Sequence, residues 1–322
     1  MRQKHGPRPR RHLALLLVLA LPMSGFAQTS PDKTLAERLG YSRDAKLLLL
    51  HADDVGMSHS INVATMRALD AGAISSASIM IPCPWLPEIA AYARSHTNAD
   101  LGLHLTLTSE WTAYRWGPVT SKDRVKSLLD RDGYLYATSK EAVARIDPRE
   151  AEVELRAQIE RAHAFGIQPT HLDSHMGLLF LTPDLFATLL KVGREYKLPM
   201  LLSRELGTMG DPTVVAELLK QLQPSDVLID HIVTIDPGVA PDRWGAFYEE
   251  KIKQLQPGVT EMIIHLGHDE DELRGAMAGF EPWGAAWRGR DFDYFMSDAF
   301  RRVLRENDVK LITYREIGKL VR

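Results

Sequence analysis

Short apolar runs alternate with longer stretches of helical periodicity along most of the chain. The runs at 46–52, 75–81, 101–105, 170–173, 200–202, 227–230, 262–265 and 310–313 are mostly short and continuous rather than alternating, as in strands buried on both faces. Between them, apolar residues recur at three- and four-residue spacing over 60–71, 87–95, 151–165, 183–196, 213–221, 244–254 and 292–306, which predicts helices. A strand–helix repeat of this kind implies parallel strands covered by helices. Seven or eight strands favour closure, so the expected fold is a single-domain α/β structure, a distorted (β/α) TIM-like barrel of about seven strands. Residues 109–139 fit neither period and are rich in Trp, Tyr, Gly and Asp, which predicts a long loop over the strand ends.

The start of the chain breaks the pattern. Lys4, Arg8, Arg10 and Arg11 precede an apolar run at 13–21 and then small residues at Gly25 and Ala27. This arrangement reads as a signal peptide over 1–27, leaving 28–322 as the barrel domain. The apolar run falls short of the roughly 18 residues that a span requires, so no stable membrane span is expected after cleavage. The protein is expected to be exported, periplasmic or secreted, and Arg10–Arg11 leave the general and twin-arginine routes both open. Removing the leader's five basic residues takes the formal charge from −3 to −8. A surface of that sign argues against nucleic acid as a partner. With 45% hydrophobic and 25% charged residues, the 322-residue chain has the balance of a globular protein. Cys83 is the sole cysteine, so neither an intrachain disulfide nor a thiolate metal cage is available, and any metal must be held by His and carboxylates. HADDVGMS follows the first run where a dinucleotide fold would carry its glycine-rich loop.

Polar residues gather where the apolar runs end: His51, Asp53 and Asp54 at the first, His104 after Leu103, His171, Asp173 and His175 around the fourth, and His265 and His268 further on. In parallel α/β folds the loops at that end of the strands form the active site. Two adjacent carboxylates are costly to keep ionised in a buried pocket unless a cation relieves them, and nearby imidazoles supply neutral ligands. A divalent metal is the simplest solution. His265, directly after an apolar run, is placed to act as a general acid, and Asp173 shares an extended face with His171 and His175, from which it can orient a histidine.

The segments HADDVGMSHSIN at 51–62, GLHLTLT at 102–108, PTHLDSH at 169–175 and HLG at 265–267 resemble, in order, those of the YdjC-like (ChbG/HpnK) carbohydrate deacetylase family. The resemblance implies a distorted (β/α) barrel and a metal-dependent hydrolase that removes acetyl groups from N-acetylated sugars or oligosaccharides. It implies Asp54, His104 and His175 as metal ligands, Asp53 as general base and His265 as the acid that protonates the leaving amine. The chain departs from the family where Met176 and Gly177 follow His175 instead of further histidines, and where Leu266 stands in place of proline. One divalent ion is expected, Zn²⁺ or Mg²⁺ first, with Mn²⁺, Co²⁺ and Ni²⁺ also compatible. Asp173, Arg204, Trp111 and Trp116 are the candidates for substrate contact, the tryptophans because flat apolar rings fit pyranose faces. Two other readings stand beside this one: a non-catalytic, metal-bearing sugar-binding protein, and a metal hydrolase of another ester or amide. The sequence leaves a homodimer open.

Overall fold

A computed structural model of the chain describes residues 33–208, 211–236, 238–280 and 282–321, so the expected signal peptide lies outside the described residues. Among them are seven strands: β1 Lys46–Val55, β2 Ser76–Ile79, β3 Leu101–Leu105, β4 Leu172–Ser174, β5 His231–Thr234, β6 Gly258–Ile264 and β7 Val309–Leu311. Every pairing is parallel, in the order β4-β3-β2-β1-β6-β5, with β7 beside the first residues of β1. The two outer strands are linked by isolated parallel bridges, Leu172 to Met200 and Ser203 to Ile229. Leu201 N donates to Leu172 O at 2.9 Å and Ile229 N donates to Leu202 O at 2.8 Å, so 200–203 fills the gap between β4 and β5. The sheet is thereby curled round on itself as a distorted barrel, and no helix of the described residues is long and apolar enough to cross a membrane.

Two expectations need correction. The runs at 200–202 and 227–230 make single bridges rather than strands, because the chain leaves the first for the 3₁₀ turn Arg204–Thr208 and enters regular pairing with β6 only at His231. The helix expected over 292–306 is two, Ala285–Phe295 and Asp298–Glu306. Ser297 ends the continuity by capping the second, its Oγ accepting from Phe300 N at 3.2 Å. The first of these helices begins seven residues before the predicted start, and it carries side chains that matter below.

The alternation of β1 sorts its side chains into two environments. Leu48, Leu50 and Ala52 join the core under the helices, whereas Leu47 and Leu49 pack with Val227, Ile229, Val259 and Ile312. Further along the latter face come His51 and then Asp53, so the barrel interior changes from apolar to polar toward the C-terminal ends of the strands. Ser76 and Ser78 of β2, Asp173 of β4 and Glu261 of β6 belong to this buried polar layer, as does His171 just before β4. Gly102 of β3 makes room for it: a Cβ there would lie 2.4 Å from the His171 ring. Gly102→Ala is therefore expected to destabilise the protein by about 1–3 kcal/mol or more through overpacking. Urea melts of the variant and the parent chain measure the difference.

Candidate metal centre and active site

Consecutive residues of a strand face opposite sides of a sheet, so Asp53 and Asp54 should not share a site. They do because Asp54 adopts a left-handed backbone, φ 62°, where the register between β1 and β2 slips between Ala52 and Val55. Aspartate is among the few non-glycine residues that tolerate this region, and such a bulge re-aims a side chain. Gly56, φ 90°, continues the turn, and its N–H donates to Asn62 Oδ1 at 2.7 Å. Ser58 then caps the helix His59–Asp70. The sequence from Asp53 to Asn62 thus encodes one strand-end kink and its brace.

Asp54 Oδ1 lies 3.5 Å from His104 Nε2 and 3.4 Å from His175 Nδ1, all three residues being buried. Each imidazole has its other nitrogen against a carboxylate: His104 Nδ1 is 2.8 Å from Asp173 Oδ1, and His175 Nε2 is 3.0 Å from Glu110 Oε2. That carboxylate–histidine arrangement fixes ring orientation and raises ligand basicity at metal sites. Asp54 Oδ2 accepts from Arg288 NH2 at 2.7 Å, while Oδ1 is buried with no hydrogen-bond partner. An orphaned carboxylate oxygen facing two imidazole nitrogens fits a divalent cation, and the three ligand atoms lie within 4.8 Å of one another.

Charge follows the same logic. Burial alone would raise the Asp54 carboxyl, but Arg288 and His175 hold it well below the usual carboxylate range. Burial would lower His175, yet the charge of Glu110 and the hydrogen bond to Asp54 push it up to about 10. His104 is likewise raised, burial being outweighed by Asp173, whose own carboxyl is driven far down, against burial, chiefly by the charge of His104.

Asp53 stands beside this trio, with Oδ2 3.7 Å from His104 Nε2 and Oδ1 3.1 Å from His265 Nε2, the latter pair without hydrogen-bond alignment. His265 follows β6, and its backbone N–H donates to Asp291 Oδ2 at 3.0 Å. Asp291 is buried and accepts from Trp244 Nε1 and Tyr248 OH, both at 2.8 Å. Trp283, half-buried, lies 6.5 Å from His265 and stacks on Trp287 at 3.6 Å.

The structure brings together Asp53, Asp54, His104, His175 and His265, and gives the four expected substrate contacts other work. Asp173 is buried, its oxygens occupied by His104, His51 and Ser78. Arg204, its side chain 60% exposed, pairs with Asp230 at 3.0 Å instead of joining the cluster. Trp111 and Trp116 are 2% and 3% exposed and pack edge to face, because the loop folds its aromatics inward and ties Trp116 Nε1 to Thr108 O. Glu110, Arg288 and Asp291 were not legible as site residues. Glu110 lies in the irregular loop, and the other two lie on the helix whose start the apolar period missed, although an acidic residue two positions beyond LTLT was a signal for the first.

A curled parallel barrel with a His₂Asp trio and a second carboxylate at its mouth defines a metal-site α/β barrel. The sequence profile of the YdjC-like protein family matches residues 47–306, and the chain belongs to that family. It is 32% identical to a carbohydrate deacetylase of Thermus thermophilus, over 84% of this chain and 94% of the relative. A carbohydrate deacetylase of Brevibacillus brevis is also 32% identical, over 84% and 99%. Among solved structures, an Enterococcus faecalis V583 protein named for cellobiose-phosphate cleavage shares the fold at TM-score 0.70, with 22% identity, 85% of this chain covered and 99% of the other.

Replacing Glu110 by Gln removes the charge behind His175. Metal affinity is expected to fall about 10- to 100-fold, as for other partners of ligating imidazoles, and titration against a chromophoric chelator reads the change. A second expectation concerns pH. Glu261, fully buried, is pushed up to about 7, mainly by desolvation. A folded-state value above the unfolded one gives stability that is complete below about pH 4.5 and lost as pH rises through about 7. In Glu261→Gln this loss, roughly 3 kcal/mol by linkage, should be absent from thermal melts of the metal-free protein between pH 4.5 and 8.

Proposed function

We propose that the protein is a metal-dependent carbohydrate deacetylase, hydrolysing the acetamide of N-acetylated sugars to acetate and a free amine. The observation that carries this reading is the position of Asp53. It stands between His104 of the ligand trio and His265, and a binding site alone would have no use for a second carboxylate beside the ligand Asp54. The names of the curated relatives support the same substrate class.

Asp54, His104 and His175 would hold the ion. A bound divalent cation supplies a Lewis acid for the amide carbonyl and lowers the pKa of a water toward about 7. Two imidazole nitrogens and one carboxylate suit Zn²⁺ better than Mg²⁺, which prefers oxygen donors. Asp53 accepts the proton of the attacking water, and His265 Nε2 delivers a proton to the departing nitrogen, so that water and amide become acetate and amine. With 3.1 Å between Asp53 Oδ1 and His265 Nε2, base and acid stand side by side at one reaction centre. Asp291, receiving the His265 backbone N–H, fixes the end of β6 from which the imidazole projects. Trp283, stacked on Trp287 beside His265, offers the partly exposed ring against which a pyranose can lie, in place of the buried Trp111 and Trp116. Export to the periplasm or beyond is part of the proposal and rests on the basic and apolar character of residues 1–27.

Acetate released from N-acetylglucosamine oligomers tests the reading directly. The zinc-loaded protein is expected to release acetate, the chelated protein to stop, and re-addition of metal to restore turnover. Asp53→Asn is expected to lose about 10²- to 10⁴-fold in kcat while still binding zinc. Absence of acetate from any acetylated sugar with metal bound would overturn the proposal.

A further inference from the structure

The glycine of HLG has no part in the chemistry above, and the helix Ala285–Phe295 gives it one. A Cβ on Gly267 would lie 2.7 Å from Leu273 Cδ2 and 3.1 Å from Arg288 Cβ. Only a residue without a side chain lets the Arg288 stem pass this close to the segment after β6. Three residues further along the helix, and so on the same face, Asp291 receives the His265 N–H at 3.0 Å. Residues 265–267 thus dock the helix at two points and bring Arg288 to the barrel mouth. There Arg288 is 3% exposed, and Nη2 donates to Asp54 Oδ2 at 2.7 Å. Its Nε and Nη1 are buried with no hydrogen-bond partner among the described residues, and the guanidinium carbon lies 6.0 Å from the centre of the Trp111 ring. A buried guanidinium retained for stability alone would have its donors satisfied, because an incompletely paired buried ion is costly. This one serves a single carboxylate oxygen.

We propose that Arg288 is a positioning residue that restricts Asp54 to one ligand oxygen, Oδ1, and thereby sets which divalent ion the site prefers. The inference rests on the reading of Asp54, His104 and His175 as the metal site. A carboxylate can offer a cation one oxygen or both. Here the two oxygens of Asp54 are divided: Oδ2 is held by Arg288, and Oδ1, without a hydrogen-bond partner, faces His104 Nε2 at 3.5 Å and His175 Nδ1 at 3.4 Å. Three protein ligands of one atom each leave positions open for water and the amide carbonyl, as a catalytic site requires. A second oxygen from Asp54 would compete for one of those positions. It would also raise the oxygen share of the donor set, which favours Mn²⁺ over Zn²⁺, since imidazole suits zinc and carboxylate suits manganese. The fixed fork of the guanidinium, locked between Trp111 and the Gly267 segment, suits the task better than a flexible ammonium.

The test has two arms on the full protein. In the first, crystals of the zinc-loaded parent are expected to show one Asp54 oxygen at about 2.0–2.2 Å from the ion and the other still bonded to Arg288. Both oxygens at bonding distance overturn the proposal. In the second, Zn²⁺ and Mn²⁺ affinities are measured by competition in the parent and in Arg288→Met, which keeps most of the stem's volume and removes the donor. Loss of a positive charge favours both dications alike, so the ratio of the two affinities isolates the freed oxygen. The zinc-to-manganese ratio is expected to fall about 10-fold or more in the variant, and an unchanged or higher ratio overturns the proposal. A merely structural arginine would change stability and leave that ratio alone. If Arg288→Met does not fold, the parent crystals decide. Failure of the deacetylase reading is separable: parent protein that binds zinc but releases no acetate refutes the reaction and leaves the Arg288 result standing, whereas parent protein that binds neither ion refutes the metal site and this inference with it.

Discussion

One backbone residue carries the site. Asp54 in the left-handed region turns the end of β1 so that two successive carboxylates, which a regular strand would send to opposite faces, arrive at one barrel mouth. Everything else at the mouth answers that event. Arg288 reaches from the helix Ala285–Phe295 to neutralise Asp54 Oδ2, Asn62 secures the turn through Gly56, and the register with β2 absorbs the extra residue. The conformation is retained because the surrounding contacts over-determine it, as strained residues at functional sites require.

The polar layer below the mouth has a matching constraint. A barrel interior filled with aliphatic side chains throughout would need no further account, but here only the N-terminal end is apolar, around Leu47, Leu49, Val259 and Ile312. Above it, His51, Asp173, His171 and Glu261 lie out of water, where an unpaired polar group is costly. Their pairing is nearly complete, through Ser76, Ser78, Thr170, Asp100 and Tyr314, and the exceptions are His171 Nε2 and Glu261 Oε1. Such a network rigidifies the strands from which the ligands project.

The sequence made some of this legible and hid the rest for physical reasons. Strand ends carry side chains into the mouth of a parallel barrel, so the positions of Asp53, Asp54, His104, His175 and His265 after apolar runs were readable from order alone. The second carboxylates of the imidazoles were not equally readable. Asp173 is two residues from both His171 and His175 and so shares their extended face in the sequence, but its partner His104 is 69 residues away, and Glu110 sits in a loop without period. Arg288 is 234 residues from Asp54, on a helix merged with its successor in the apolar pattern until Ser297 divides them. The tryptophans misled because composition reports that a loop is aromatic and says nothing of which ring is buried; Trp111 and Trp116 fill the loop's own core.

Charge balance links the metal to the fold. Asp53, Asp54, Glu110 and Asp173 surround the imidazoles, against which the chain sets the Arg288 guanidinium. With His104 and His175 neutral, that leaves a deficit of positive charge. In the metal-free chain the carboxylates press both imidazoles toward their protonated forms, which meets the deficit with protons. A divalent cation meets it with one ion, and it must displace those protons because coordination uses the nitrogen lone pairs they occupy. The same carboxylates that orient the rings therefore favour an ion of higher charge, because a singly charged cation would leave more buried negative charge unpaired.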